Sequence, residues 1–167
     1  GVVDVIRMPE PTSPPLFNIK GGIAVVASNT WSAAEGRKAL EIEWDRGENA
    51  AHESQAYKED LIASASAPGT TIMARGDADN QTHSQLEAVY YTPYLAHAPM
   101  EPPAAAAIVN EDGSCEVWAA TQDPQTARNT VAATLGIEKE QVTMNVTMLG
   151  GAFGRKSKPD FIAEAAW

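Results

Sequence analysis

Gly150-Gly151-Ala152-Phe153-Gly154-Arg155-Lys156 brings three glycines, one large apolar side chain and two cations into seven residues. Glycine takes positive φ readily and lets the main chain come close to a ligand. Main-chain N–H groups exposed in such a run, with Arg155 and Lys156 beside them, suit an anion, and Phe153 suits an anion with a bulky apolar body. Two familiar phosphate motifs are ruled out. A Walker loop needs Gly immediately before its Lys, and Arg155 stands there; the dinucleotide fingerprint needs Gly-x-Gly-x-x-Gly, a spacing absent here. The competing reading is a glycine-rich turn between a strand and a helix.

Gln122 is the second residue of interest. Its amide both donates and accepts, so it can orient a polar ligand, or it can serve as an ordinary capping residue. His97 and Glu101 lie in Ala96-His97-Ala98-Pro99-Met100-Glu101-Pro102, where the prolines favour a rigid extended loop over a catalytic pair. His52 and His83 fall in polar segments and form no metal-ligand pattern. Cys115, the sole cysteine, has no internal disulfide partner and reads as a buried strand residue.

The elements that position these residues follow from periodicity. Val2 to Ile6 reads as a strand, Pro9 to Pro15 as a loop, and Ile23 to Ala27 as an apolar run. A helix capped by Asn29 or Thr30 runs through Leu40, and Glu41 to Trp44 alternates as a strand. Ser54 to Ala67 is helical, and Leu86 to Tyr91 reads as a strand. Residues 104–109 and 115–120 form a hairpin around Asp112-Gly113. Asp123-Pro124 opens a helix that Gly136 ends. Val142 to Met148 is the next strand, and Pro159 opens the last helix. If the strands before Gln122 and Phe153 are neighbours, both junctions meet at one sheet edge.

The chain has 167 residues, is 44% hydrophobic and carries a formal charge of −10. Its charge is uneven: residues 1–67 hold 10 acidic and 6 basic groups, 68–120 hold 7 and 1, and 121–167 hold 5 and 5. An acidic chain is a poor nucleic-acid binder, so the local cluster Arg155, Lys156 and Lys158 stands out. No stretch is long and apolar enough to span a bilayer. Both ends read as cuts within a longer protein.

Read in order, Thr121-Gln122-Asp123-Pro124, Val131 to Ile137, Val142 and Leu149 to Lys156 resemble the molybdenum hydroxylases, the xanthine dehydrogenase and aldehyde oxidoreductase family. His97-Ala98-Pro99-Met100-Glu101-Pro102 resembles its bacterial isoquinoline 1-oxidoreductase and aldehyde dehydrogenase branch. Gly22 to Ala27 with Ala34 to Leu40 is similar to the family's hammerhead-like α/β domain. The resemblance implies an α+β fold: a partial hammerhead-like domain over residues 1–67 and the opening of a molybdopterin-binding domain over residues 68–167.

The resemblance also implies molybdopterin with molybdenum, in bacteria commonly the cytosine dinucleotide form. The cofactor holds its own metal, so no protein ligand is expected. Gln122 matches the glutamine that orients an oxygen ligand of the molybdenum. Gly150, Gly151, Phe153, Gly154 and Arg155 match the loop against the cofactor, and Phe153 borders the substrate pocket. Ser157 stands where xanthine-type enzymes carry a substrate-binding acid, which argues against a purine substrate. The family's general base, a distal glutamate, falls beyond this chain.

The implied partners are a [2Fe-2S] small subunit, a cytochrome c acceptor and an aldehyde or N-heterocyclic substrate. The implied source is bacterial, periplasmic or cytoplasmic, since relatives often carry a twin-arginine signal. The chain alone is expected to be inactive, to hold no cofactor and to self-associate. A non-catalytic module binding an anion or a partner chain is the alternative.

Overall fold

Cys115, Val117 and Ala119 alternate along one strand, and their side chains are buried under helices. In the computed structural model, which describes residues 1–10, 17–76, 84 and 86–167, that strand is the centre of a small sheet. Two compact units are present, residues 1–41 with 96–167 and residues 42–95.

In the first unit, β1 (Val2–Met8) and β2 (Gly22–Ala27) pair antiparallel. Helix α1 (Thr30–Lys38) follows, with the Asn29 side chain accepting from the Ser32 N–H at 2.9 Å. Gly36 lets α1 approach the hairpin: a Cβ there would lie 2.6 Å from a Val2 methyl and 2.9 Å from a Val25 methyl.

The second sheet has the order β3 (Ala105–Val109), β4 (Cys115–Ala119), β5 (Val142–Val146). β3 and β4 are an antiparallel hairpin; β4 and β5 are parallel. A parallel pair requires a crossover, supplied by α2 (Pro124–Leu135). Asp123 caps α2 by accepting from the Thr126 N–H, and Gly136 closes it in the left-handed region at φ 68°. Ala127, Val131 and Ala132 face the core, which α3 (Asp160–Ala166) completes with Ile162 and Ala166.

The second unit, residues 42–95, contains a helix at Ser54–Ser66, with the Glu53 side chain accepting from the Ala56 N–H.

Two expected strands are corrected. Glu41 to Trp44 and Leu86 to Tyr91 take no regular structure and are exposed; Leu86 is 96% exposed. Alternation supplies two side-chain faces, but a strand also needs a neighbour for its N–H and C=O groups, and among the described residues neither segment has one. The described residues among the first 45 therefore form a hairpin and a helix, in place of strand, helix and strand. The helix after Pro159 packs on β3 and α2. His83 and residues 11–16 of the Pro-rich loop lie outside the described residues. No described helix is long and apolar enough to cross a membrane.

Candidate cofactor site

The parallel register of β4 and β5 sets Ala119 beside Val146. The chain therefore leaves both strands at the same edge, the carboxyl end, where ligands of α/β units bind. One exit leads to Thr121-Gln122 and the other to the glycine run.

The two exits are tied together. The Gln122 N–H and the Thr121 hydroxyl both donate to the Lys156 carbonyl, at 3.1 and 3.0 Å. The Gly154 N–H donates to Gln122 Oε1 at 3.1 Å. Capping falls to Asp123, so the Gln122 side chain is committed to the glycine run. Accepting through Oε1 leaves the amide's two N–H donors for another partner.

The run itself is contorted. Gly151, Phe153 and Gly154 have φ of 100°, 53° and 92°. Glycine accepts such values; phenylalanine does so at a cost of about 1–3 kcal/mol. Phe153 is also 76% exposed, so packing does not explain its conformation. Among the described residues, no acceptor meets the N–H groups of Gly151, Ala152 or Phe153. Unmet N–H donors on backbone of changing hand are the ingredients from which anion-binding nests are built.

The basic cluster behaves differently from its sequence. Arg155 pairs with both carboxylate oxygens of Asp160 at 2.8 Å. Lys158 lies over the Phe17 ring at 4.3 Å. Lys156 is completely buried and bonds to Glu101. Glu101 also accepts from the Gly150 N–H at 2.9 Å. The Lys156 bond, then that N–H, holds its carboxyl below the usual glutamate range. This link was missed from sequence, because 49 residues separate Glu101 from Gly150. The only signal was an acid in a rigid loop and a lysine after a glycine run.

The structure thus brings Gln122, Gly150, Gly151, Phe153, Gly154 and Arg155 to one edge. His97 is close by, its Nε2 3.8 Å from where a Cβ on Gly154 would stand. Ser157 donates to the Gly154 carbonyl at 2.7 Å. Cys115 is buried in the core, and burial raises its thiol pKa. Among the described residues no three His, Cys, Asp or Glu side chains cluster as metal ligands.

Residues 60–167 match the family described as the molybdopterin cofactor-binding domain. The chain belongs to this family. It is 33% identical over 112 residues to isoquinoline 1-oxidoreductase subunit beta of Brevundimonas diminuta, covering 67% of this chain and 13% of that protein. It is 27% identical over 154 residues to a membrane-bound aldehyde dehydrogenase of Gluconacetobacter polyoxogenes, covering 89% and 20%. It is 30% identical over 141 residues to xanthine dehydrogenase of Emericella nidulans, covering 80% and 10%. The chain therefore spans a fifth or less of each of these relatives.

The residues at the edge fit a molybdopterin. Unmet main-chain N–H groups suit its phosphate and polar ring edges, and the Gln122 amide suits a further oxygen.

Proposed function

We propose that this chain is part of the molybdopterin-binding subunit of an oxidoreductase that hydroxylates aldehydes or N-heterocycles with water as the oxygen source. The observation that carries the reading is the Gly154 to Gln122 hydrogen bond, which joins the two strand exits into one edge within a molybdopterin cofactor-binding domain. The relatives, an isoquinoline oxidoreductase, an aldehyde dehydrogenase and a xanthine dehydrogenase, suggest the substrate classes. Ser157 favours the first two over a purine.

In this reading the cofactor is the cytosine dinucleotide form, and when bound it supplies the redox chemistry and its own metal. The chain's residues bind and orient. Gln122 directs its N–H donors at an oxygen of the cofactor, with Oε1 held by Gly154. Gly150, Gly151 and Gly154 bring main chain against the pterin. Arg155 keeps donors beyond those given to Asp160 for a polar group nearby. Phe153 walls the substrate pocket and excludes water. The general base comes from elsewhere in the longer protein. Electrons leave through a [2Fe-2S] subunit and, in some settings, a cytochrome c. Residues 1–67 are assigned to a hammerhead-like domain and 68–167 to the start of the cofactor domain.

Purified full-length protein should contain molybdenum and a pterin nucleotide in equal amounts, read by elemental analysis and by chromatography of the released nucleotide. Absence of both, in a folded protein, would leave the non-catalytic anion- or partner-binding module as the better account.

A further inference from the structure

Glu101 reaches the glycine run from a loop remote in sequence. One of its carboxylate oxygens, Oε2, accepts both the Gly150 N–H and the ammonium of Lys156. Lys156 is buried, while the Glu101 side chain is 40% exposed. Lys156 is itself a junction, because its carbonyl accepts from Thr121 and Gln122. Space is close at the joint: a Cβ on Gly150 would stand 3.2 Å from Glu101 Cβ and Cδ. The run is thus gripped at its start by Glu101, at its end through Lys156, and at Gly154 by Gln122.

A buried ammonium requires an opposite charge, and any acid would meet that need. It does not require that the same oxygen take the Gly150 N–H. We infer that Glu101 is a positioning residue: the oxygen it shares between Gly150 and Lys156 sets the conformation of the glycine run, and so the placement of main chain against the cofactor. The second half of this statement rests on the cofactor reading above; the first half does not.

The test uses the full-length protein as purified, with two readouts. Hydrogen exchange followed by mass spectrometry reports the peptide containing residues 149–154. Molybdenum per chain reports cofactor retention. Glu101→Ala should exchange on the order of tenfold faster in this peptide, as expected for losing a charge-assisted hydrogen bond, and should retain several-fold less molybdenum. Glu101→Gln, which keeps an acceptor, should fall between Glu101→Ala and wild type.

The deciding variant is Glu101→Ala combined with Lys156→Met, which removes the stranded charge. If Glu101 only neutralises Lys156, this variant returns to wild-type exchange and cofactor content, and the inference is overturned. If Glu101 positions the run, exchange stays fast and content low in a protein that still melts cooperatively. Should the double variant fail to fold, Glu101→Gln decides: wild-type exchange and full molybdenum there overturn the inference. Fast exchange with full molybdenum in the variants overturns the second half, that the run's conformation places main chain against the cofactor. Wild-type protein devoid of molybdenum overturns the cofactor reading instead, while the exchange comparison still decides whether Glu101 sets the run.

Discussion

Gln122 illustrates how one hydrogen bond assigns a side chain's remaining chemistry. With Oε1 taken by the Gly154 N–H, the amide cannot flip without losing a partner, so its donors are fixed in place before a ligand arrives. Preorganised donors of this kind are worth most where charge develops. Gln122→Ala in the full-length enzyme should therefore slow turnover on the order of 100-fold while the fold survives. Wild-type turnover with full molybdenum would return Gln122 to a plain structural role. Phe153 tests the same site by strain. Phe153→Gly should raise the free energy of unfolding by about 1 kcal/mol or more, because a φ of 53° carries no steric cost for glycine. The same change should lower turnover in the full-length enzyme. No gain in stability would show that the conformation carries no strain.

At the scale of elements, β4, α2 and β5 place the site, and the ends of α2 are legible in sequence. Asp123-Pro124 and Gly136 mark them because an N-cap acceptor and a left-handed residue are local needs. Gly136 has open space where a Cβ would stand, so Gly136→Ala should cost about 1 kcal/mol, through backbone strain alone. A urea titration that left the midpoint unmoved would contradict this.

The link from Glu101 to the glycine run predicts a pH dependence. Because its folded pKa is lowered, first by Lys156 and then by the Gly150 N–H, its contribution is fully present above the unfolded value. It is lost as pH falls through the folded value. The stability difference between wild type and Glu101→Gln should thus shrink as acid protonates Glu101. A difference independent of pH across the acid range would show that the carboxylate charge contributes nothing. Asp112 and Asp123 shift in the same direction, led respectively by the Ser114 and Thr126 side-chain hydrogen bonds, so the comparison must be made between variants and not on wild type alone.

For the whole molecule, the chain covers a small part of its relatives and, in the proposed reading, presents one edge toward the cofactor. Sites for small molecules bury most of their ligand, so this chain alone should neither retain molybdopterin nor reduce a dye with an aldehyde present. Turnover by the 167 residues alone would show that the active site has been misplaced. The sheet formed by β3, β4 and β5 carries its helices on one face. On the other, Ala106 and Ile108 are exposed, Ile108 by 55%. That surface should drive weak self-association despite the charge of −10. A strictly monomeric boundary in sedimentation velocity at high concentration would contradict it.

Sequence by itself determined whatever depends on near neighbours. The hairpin at 105–119, the N-cap of α1, the caps of α2 and the left-handed glycines of the run all follow from residues within a few positions of one another. The order of those motifs also carried the family resemblance. Tertiary structure decided what depends on a distant partner. The alternation at 41–44 and 86–91 promised strands, yet a strand exists only where another strand meets its backbone. Arg155, Lys156 and Lys158 read as one cationic patch, yet folding gave them Asp160, Glu101 and the Phe17 ring. The physical reason is common to both. Local dihedral and capping preferences are properties of a short segment, whereas ladder partners and the counter-charge of a buried ammonium are set by which segments the fold brings together.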